Sequence, residues 1–364
     1  MTTRRKFLGQ LAAGTVGLAL GERAFASVTV PKKKDRLGVA LVGLGYYSTD
    51  LLAPALQVTA KCHLAGVVSG TPAKIEAWQK RHAIPDANVY SYANFDAIAN
   101  NPAIDVVYIV LPPSMHAEYV IRAAKAGKQV WCEKPMAPSV RDCEAMIRAC
   151  RENKVKLAIG YRMHHEPNTR QIMQFAHDRK YGKVLNATAE AGYFDPRANH
   201  WKQKKAMGGG VMGDMGVYPL NALRYGAGME PIAVSARAST TRPEIYTEVE
   251  ETMNFELEFP GGATAVGEAS FGKRMNKLRV NNERGWYELS PFQSYSGIQG
   301  TTSDGVALNA SVPNQQARQM DDDAMAILDD GPLLASGEEG LKDTLVVEAI
   351  YRSVAAGGQK VKIG

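Results

Sequence analysis

Two short stretches of this 364-residue chain concentrate side chains able to do proton chemistry. The first is Glu133-Lys134-Pro135, a carboxylate and an ammonium side by side directly after the apolar strand Gln129 to Cys132. Charges at the carboxyl end of a buried strand stand where α/β sheets bind ligands, and the proline fixes the direction of the chain there. A surface salt bridge in a loop is the plainer alternative. The second stretch is Gly208-Gly209-Gly210-Val211-Met212-Gly213-Asp214-Met215-Gly216-Val217-Tyr218. Asp214 and Tyr218 are four apart and on a helix share one face. The triple glycine lets backbone come close to a ligand, and a helix so rich in glycine is poorly self-stabilised, which the needs of a site would explain. Tyr218 also suits a packed core position. A phenol with an ordinary pKa of about 10 is a poor base at neutral pH, and an ammonium such as Lys134 beside it would lower that value. Such a pair suits removal of a hydroxyl proton and its return.

The elements that position these residues begin at Leu37 to Ser48, LGVALVGLGYYS. Leu37 to Val42 reads as a strand buried on both faces, and Gly43 and Gly45 make the tight turn into a helix spanning Thr49 to Ala60. This is the opening of a dinucleotide-binding βαβ unit, with Ser48 in place of the third glycine. The second strand, Cys62 to Ser69, ends in Ser69-Gly70-Thr71 with Lys74 one turn on. A carboxylate at that point would accept from the ribose 2′-hydroxyl of NAD; a hydroxyl, a small-residue turn and a lysine suit the 2′-phosphate of NADP, although Lys74 also reads as an ordinary surface residue. Strand and helix then alternate: a helix over Pro72 to His82, a strand over Val89 to Tyr92, a helical segment over Asn94 to Asn100 and a strand over Asp105 to Leu111 that runs into Pro112-Pro113. The helix Met115 to Ala126 carries His116, which either lines the nicotinamide side of the crevice or caps and packs. The helix Val140 to Asn153 and the strand Lys156 to Gly160 lead to Tyr161-Arg162-Met163-His164. The alternation predicts a doubly wound parallel sheet, an α/β Rossmann domain.

From Lys183 the pattern changes to strands in close succession: Val184 to Tyr193, Ile232 to Ser239, Thr252 to Phe259, Ala263 to Phe271, Lys277 to Val280 and Gly285 to Leu289. They predict an open, mostly antiparallel sheet with helices on one face, an α+β second domain. Helices over Asn314 to Asp329 and Leu341 to Ala356 and a strand over Lys360 to Ile363 close the chain.

Composition is globular, 45% hydrophobic and 22% charged. Thr3-Arg4-Arg5-Lys6-Phe7, the short apolar run Leu11 to Leu20 and Ala24-Phe25-Ala26 form a twin-arginine export signal, with cleavage expected after Ala26 and the periplasm as destination. The export machinery is then a transient partner. Removing residues 1–26 halves the formal charge of +6, too little to argue for nucleic acid. Lys32, Lys33 and Lys34 read as a solvated tether. Cys62, Cys132, Cys143 and Cys150 show no CxxC pair and read as buried thiols, and no metal site is expected. The expected organisation is a signal over 1–26, an arm over 27–36, the cofactor domain over 37–160 and the substrate and oligomerisation domain over 161–364, with the C-terminal helix able to pack back on the first domain.

With GLGYYS, VSGTPAK, LPPSMHAEY, WCEKP, GYRMHH and GGGVMGDMGVYPLN in order, and GEEGLKD near the C-terminus, the chain resembles the glucose-fructose oxidoreductase family, whose wider Gfo/Idh/MocA relatives include inositol and other sugar dehydrogenases. The resemblance implies that Gly43, Leu44, Gly45, Tyr46, Tyr47 and Ser48 form the phosphate turn, and that Ser69, Gly70 and Lys74 receive the 2′-phosphate. It implies that Tyr92, Leu111, Pro112, His116, Glu133, Lys134 and Arg162 line the rest of the cofactor cleft. Trp201 matches a Trp-Arg pair that contacts cofactor in relatives, and Lys202 stands where the arginine would be. Lys134, Asp214 and Tyr218 would form the catalytic group, with His164, Asp214 and Tyr218 touching the substrate. The implied activity is oxidation of an aldose at C1 to the lactone by tightly bound NADP, with a second sugar, fructose or another aldose, reduced to a polyol by the same cofactor. A conventional sugar or cyclitol dehydrogenase with exchangeable NAD or NADP, and a non-catalytic sugar sensor, are the competing readings. The short arm makes a homo-dimer through the open sheet as plausible as a homo-tetramer.

Overall fold

The computed structural model describes residues 34–364; the expected export signal and most of the arm lie outside the described residues. Among the described residues the chain forms two sheets. The first holds β1 (Leu37–Val42), β2 (Cys62–Val68), β3 (Val89–Tyr90), β4 (Val106–Ile109), β5 (Gln129–Cys132) and β6 (Leu157–Ile159). All are parallel, in the order β3-β2-β1-β4-β5-β6, the doubly wound order whose crevice opens between β1 and β4. The apolar runs of β1 and β4 bury side chains on both faces. Val42, Val107 and Ile109 pack on one face under α3 (Pro113–Lys125) and α4 (Val140–Glu152), which follow the short α1 (Ala53–Leu56) and α2 (Pro72–His82). Leu41, Val106 and Tyr108 pack on the other, with α1, α2 and the helix described below as α7.

The second sheet runs β7 (Val184–Gly192), β8 (Ala233–Ser239), β9 (Thr252–Glu258), β10 (Thr264–Ser270), β11 (Met275–Asn282), β12 (Gly285–Leu289), β13 (Gly300–Thr302), β14 (Ala307–Leu308) and β15 (Val361–Lys362). Its order is β14-β13-β12-β11-β7-β10-β9-β8-β15, antiparallel except where β7 and β10 pair parallel. The strands alternate inward and outward, and Leu223, Ile172 and Ile350 of α6 (Val217–Ala227), α5 (Pro167–His177) and α8 (Gly337–Ala355) cover the inner face. Leu185 and Val266 stand half exposed on the outer one. The open sheet with helices on one face therefore forms as the sequence predicts.

Several boundaries differ for local reasons. The first helix is not continuous from Thr49 to Ala60: a wide i→i+5 turn over Tyr47–Leu52 feeds a single α-turn that stops at Gln57. The third and eighth helices start earlier than predicted, at Pro113, where proline suits the first turn, and at Gly337. The helix α5 is an addition to the predicted elements, and the strands β13 and β14 are too short to carry a periodic signal. Finally, α7 (Gln315–Leu328) does not cover the second sheet. Ala317, Met320 and Ala324 bury it against the first sheet, with Trp131 and Tyr108.

Candidate active site

The loop after β5 brings Lys134 to the middle of the site. Its Nζ donates to the Asp214 carbonyl oxygen at 2.9 Å, lies 3.9 Å from Asp214 Oδ1 and stands 4.5 Å from the centroid of the Tyr218 ring. A second cation, Arg162, lies 5.6 Å from the same ring and 4.8 Å from that of Tyr295. Arg162 is itself fixed by donating to Gln315 Oε1 and to the Ser294 carbonyl. Asp214 does not sit on a regular helix with Tyr218: it belongs to a wide turn over Met212–Gly216 that runs into α6. The turn still aims both side chains at Lys134, and such wide turns recur at functional sites.

Electrostatics follow from this geometry. Burial pushes the Tyr218 phenol up, but Lys134 and Arg162 outweigh burial and bring it below its ordinary value, with Glu133 and Asp214 opposing them. Burial lowers the Lys134 ammonium, and Tyr218, Asp214 and Glu133 more than restore it, so it stays charged. Asp214 is held below the usual carboxylate range against its burial, by Lys202 and then Lys134. The arrangement is an acidified phenol, a fixed ammonium and an ionised carboxylate around one partly open point.

Lys202 has a different partner from the one the resemblance implies. Its Nζ donates to Asp214 Oδ2 at 2.6 Å and to the Tyr193 hydroxyl at 2.9 Å, so it is engaged inside the site beside Trp201. The triple glycine has a duty within the fold as well. A side chain at Gly209 would meet the Lys202 carbonyl oxygen at 2.6 Å, and Gly210 N donates to the same oxygen at 2.8 Å. These glycines let the segment close on the Trp201–Gln203 turn, and so place Lys202.

Two histidines fall away from the site. His116 is fully buried, with Nε2 2.8 Å from the Leu111 carbonyl and Nδ1 3.0 Å from that of Pro135, so it straps the end of β4 to the Lys134-Pro135 segment instead of lining the crevice. His164 is buried with Nε2 2.8 Å from Asn221 Oδ1, and Asn221 in turn donates to Asp343. It belongs to the packing between α6 and α8, not to a substrate surface.

The residues expected on the cofactor mostly frame one crevice. Gly43 has φ +92°, and a side chain there would meet the Val110 carbonyl oxygen at 2.4 Å and Leu111 at 2.8 Å. A side chain at Gly45 would meet nothing within 4 Å, which leaves the open approach that a pyrophosphate needs. Ser48 is buried and donates to the Gly43 carbonyl at 2.6 Å, bracing the turn from below in place of the third glycine. Leu44 is buried, Tyr46 is exposed, and Tyr47 lies 6.3 Å from the Tyr295 ring. At the end of β2, Ser69 is buried and its Oγ accepts from Thr71 N, which leaves the exposed Gly70 and Lys74 as the outward groups of that turn. Tyr92 leans over Gly70, where an added Cβ would come within 2.9 Å of its ring. Leu111 and Pro112 are partly exposed at the end of β4, and Glu133 is buried behind them. These residues fit a dinucleotide: an unobstructed glycine, a braced turn and a parallel sheet ending in polar groups. Tyr193 and Tyr295, which complete the site, carried no readable signal, because each reaches it from a distant strand end or loop.

Comparison with known proteins agrees with this architecture. Residues 37–161 match the oxidoreductase family with an NAD-binding Rossmann fold, and residues 169–288 match the GFO/IDH/MocA C-terminal domain. The chain belongs to the Gfo/Idh/MocA oxidoreductase family. Within the family, it is similar to the aldose-aldose oxidoreductase of Caulobacter crescentus, whose crystal structure with glycerol superposes with TM-score 0.86 at 39% identity, over 90% of this chain and all of that one. It is 29% identical to D-xylose 1-dehydrogenase [NADP(+)] of Haloarcula marismortui over 86% of this chain and 90% of the relative. It is 25% identical to inositol 2-dehydrogenase of Rhizobium meliloti over 83% of this chain and 92% of the relative. The first domain of this Gfo/Idh/MocA protein is thus a nicotinamide-dinucleotide fold.

Proposed function

We propose that the protein is a sugar oxidoreductase that holds NADP, oxidises an aldose at C1 to the lactone and returns the reducing equivalents to a second sugar, giving a polyol. The observation that carries this reading is the Tyr218 ring set between Lys134 and Arg162 with Asp214 alongside. The aldose-aldose oxidoreductase and the NADP-dependent xylose dehydrogenase among its relatives support the substrate class and the cofactor. The bound nicotinamide would supply the two-electron acceptor at the sugar carbon. Tyr218 Oη takes the hydroxyl proton of the sugar in oxidation and gives it back in reduction. Lys134 stabilises the phenolate that stands ready before oxidation and forms again after reduction, and Asp214 Oδ1, the oxygen that Lys202 leaves free, accepts from a neighbouring sugar hydroxyl. Gly43, Gly45 and Ser48 would hold the pyrophosphate, with Gly70 and Lys74 at the 2′-phosphate. Removal of residues 1–26 on twin-arginine export would place the folded protein in the periplasm, and the outer face of the second sheet, with Leu185 and Val266, would pair two copies.

One observation favours a second reading, a dehydrogenase that exchanges free cofactor. Lys202 donates to Asp214, where the resemblance implies an arginine on the cofactor, so one hold on the cofactor is missing. Denaturing the extensively dialysed protein and assaying the released NADP(H) separates the two. Near-stoichiometric NADP(H) supports the two-sugar cycle. Its absence, with turnover restored by added NADP or NAD, replaces that cycle with ordinary sugar dehydrogenation.

A further inference from the structure

Tyr108 lies in the middle of β4, fully buried, with its ring edge-on to Trp131 at 5.6 Å. Phenylalanine would pack there equally well, so the hydroxyl calls for an explanation. It donates to Glu133 Oε1 at 2.6 Å, and it accepts from Gln319 Nε2 of α7 at 3.4 Å. One turn further along α7, Asp323 is 1% exposed and neither of its carboxyl oxygens has a hydrogen-bond partner among the described residues; Gln319 Oε1 has none either. Burial, reinforced by the Asp322 charge and opposed by Gln319, pushes the Asp323 carboxyl well above the usual range, and the buried His165 Nε2 stands 3.9 Å from its Oδ1. The two donors in series, Gln319 and Tyr108, both point at Glu133. A side chain at Gly160 would stand 2.6 Å from Glu133 Oε1, so the glycine after β6 clears the place that the carboxylate occupies.

We propose that Tyr108 is a positioning residue of the Tyr218 site, the last donor of a buried chain from α7 that holds Glu133 as a carboxylate beside Lys134 and Arg162. The inference rests on the reading of Tyr218 as the acid–base group. The groups facing Glu133 are Tyr47 from the turn after β1, Tyr108 from β4, Cys132 and Lys134 on its own strand end, Arg162 after β6, Tyr218 of α6 and Tyr295. Among these, an ionised Glu133 opposes the two cations that acidify Tyr218. Burial raises the Glu133 carboxyl against Tyr108, Lys134 and Arg162; losing the Tyr108 donor raises it further, which weakens its opposition to the cations and makes the Tyr218 phenol more acidic.

The test is an ultraviolet difference titration of phenolate on the full-length protein, comparing the chain with its Tyr218→Phe variant so that only Tyr218 is read, with and without Tyr108→Phe. Tyr108→Phe should lower the Tyr218 midpoint by about one pH unit, a tenfold change in ionisation. A midpoint that stays put or rises overturns the proposal. If Tyr108→Phe fails to fold, Gln319→Met, which removes the donor behind Tyr108, should give a smaller shift of the same sign, and an unmoved midpoint there overturns it too. The titration needs no turnover, so a protein that oxidises no sugar would sink the function proposed above while leaving this measurement decisive for the chain.

Discussion

At the scale of single residues, the site depends on two cations acting on one phenol. Removing the Lys134 charge should raise the Tyr218 phenol towards and above its ordinary value of about 10, because burial then meets only Arg162 in opposition. Sugar oxidation by Lys134→Met should therefore need a higher pH than the wild type for half-maximal kcat, and at neutral pH should fall by about 10²- to 10⁴-fold. A pH profile of kcat checks the sign. Much of this cluster was legible in the sequence, because charged and phenolic side chains at strand ends and glycine-rich turns stand out from their surroundings. Lys202 was legible as a residue but not as a partner of Asp214, since the contact is made by a turn that the glycines at 209 and 210 close. His116 stays open in the sequence between crevice and packing, and His164 is placed by the resemblance alone, because a histidine after a strand looks the same whether it faces a crevice or packs inside.

At the scale of elements, the two glycines of the first turn have separate duties, and substitution tells them apart. Gly43→Ala places a Cβ 2.4 Å from the Val110 carbonyl oxygen at a positive φ, so it should destabilise the fold by about 1–3 kcal/mol as well as weaken cofactor binding. Gly45→Val meets open space, so thermal unfolding should stay close to wild type while NADP binding falls. Paired melts and cofactor titrations distinguish the two. The strands were readable because β1, β4 and β5 are continuous apolar runs and β7 to β12 are long. Short elements such as β13 and β14 were not, because two or three residues carry no periodicity. The destination of α7 was hidden for another reason: its apolar stripe says that one face is buried, not which sheet buries it.

At the scale of the whole molecule, α8 and α6 meet through a buried charge cluster. Arg224, 3% exposed, donates to Asp343 and ion-pairs with Glu230 at 2.7 Å and Glu339 at 2.9 Å. Arg224→Met would strand Asp343 in the interior and should lower stability at neutral pH by about 3–5 kcal/mol. Burial already raises the Asp343 carboxyl, and losing Arg224 raises it further. A raised carboxyl favours the protonated folded form, so the loss should be full above that raised value and shrink as pH falls from it towards the unfolded one of about 3.9. Denaturant unfolding at two pH values measures this. The central claim, that this frame serves proton removal from a sugar by Tyr218, is tested most directly by aldose-dependent reduction of NADP, followed by absorbance for the wild type and for Tyr218→Phe. The account predicts reduction by the wild type, and a loss of at least about 10²-fold in the variant with its fold and NADP binding intact. Equal rates in the two proteins, or no reduction by any aldose in a wild type that binds NADP, would contradict it.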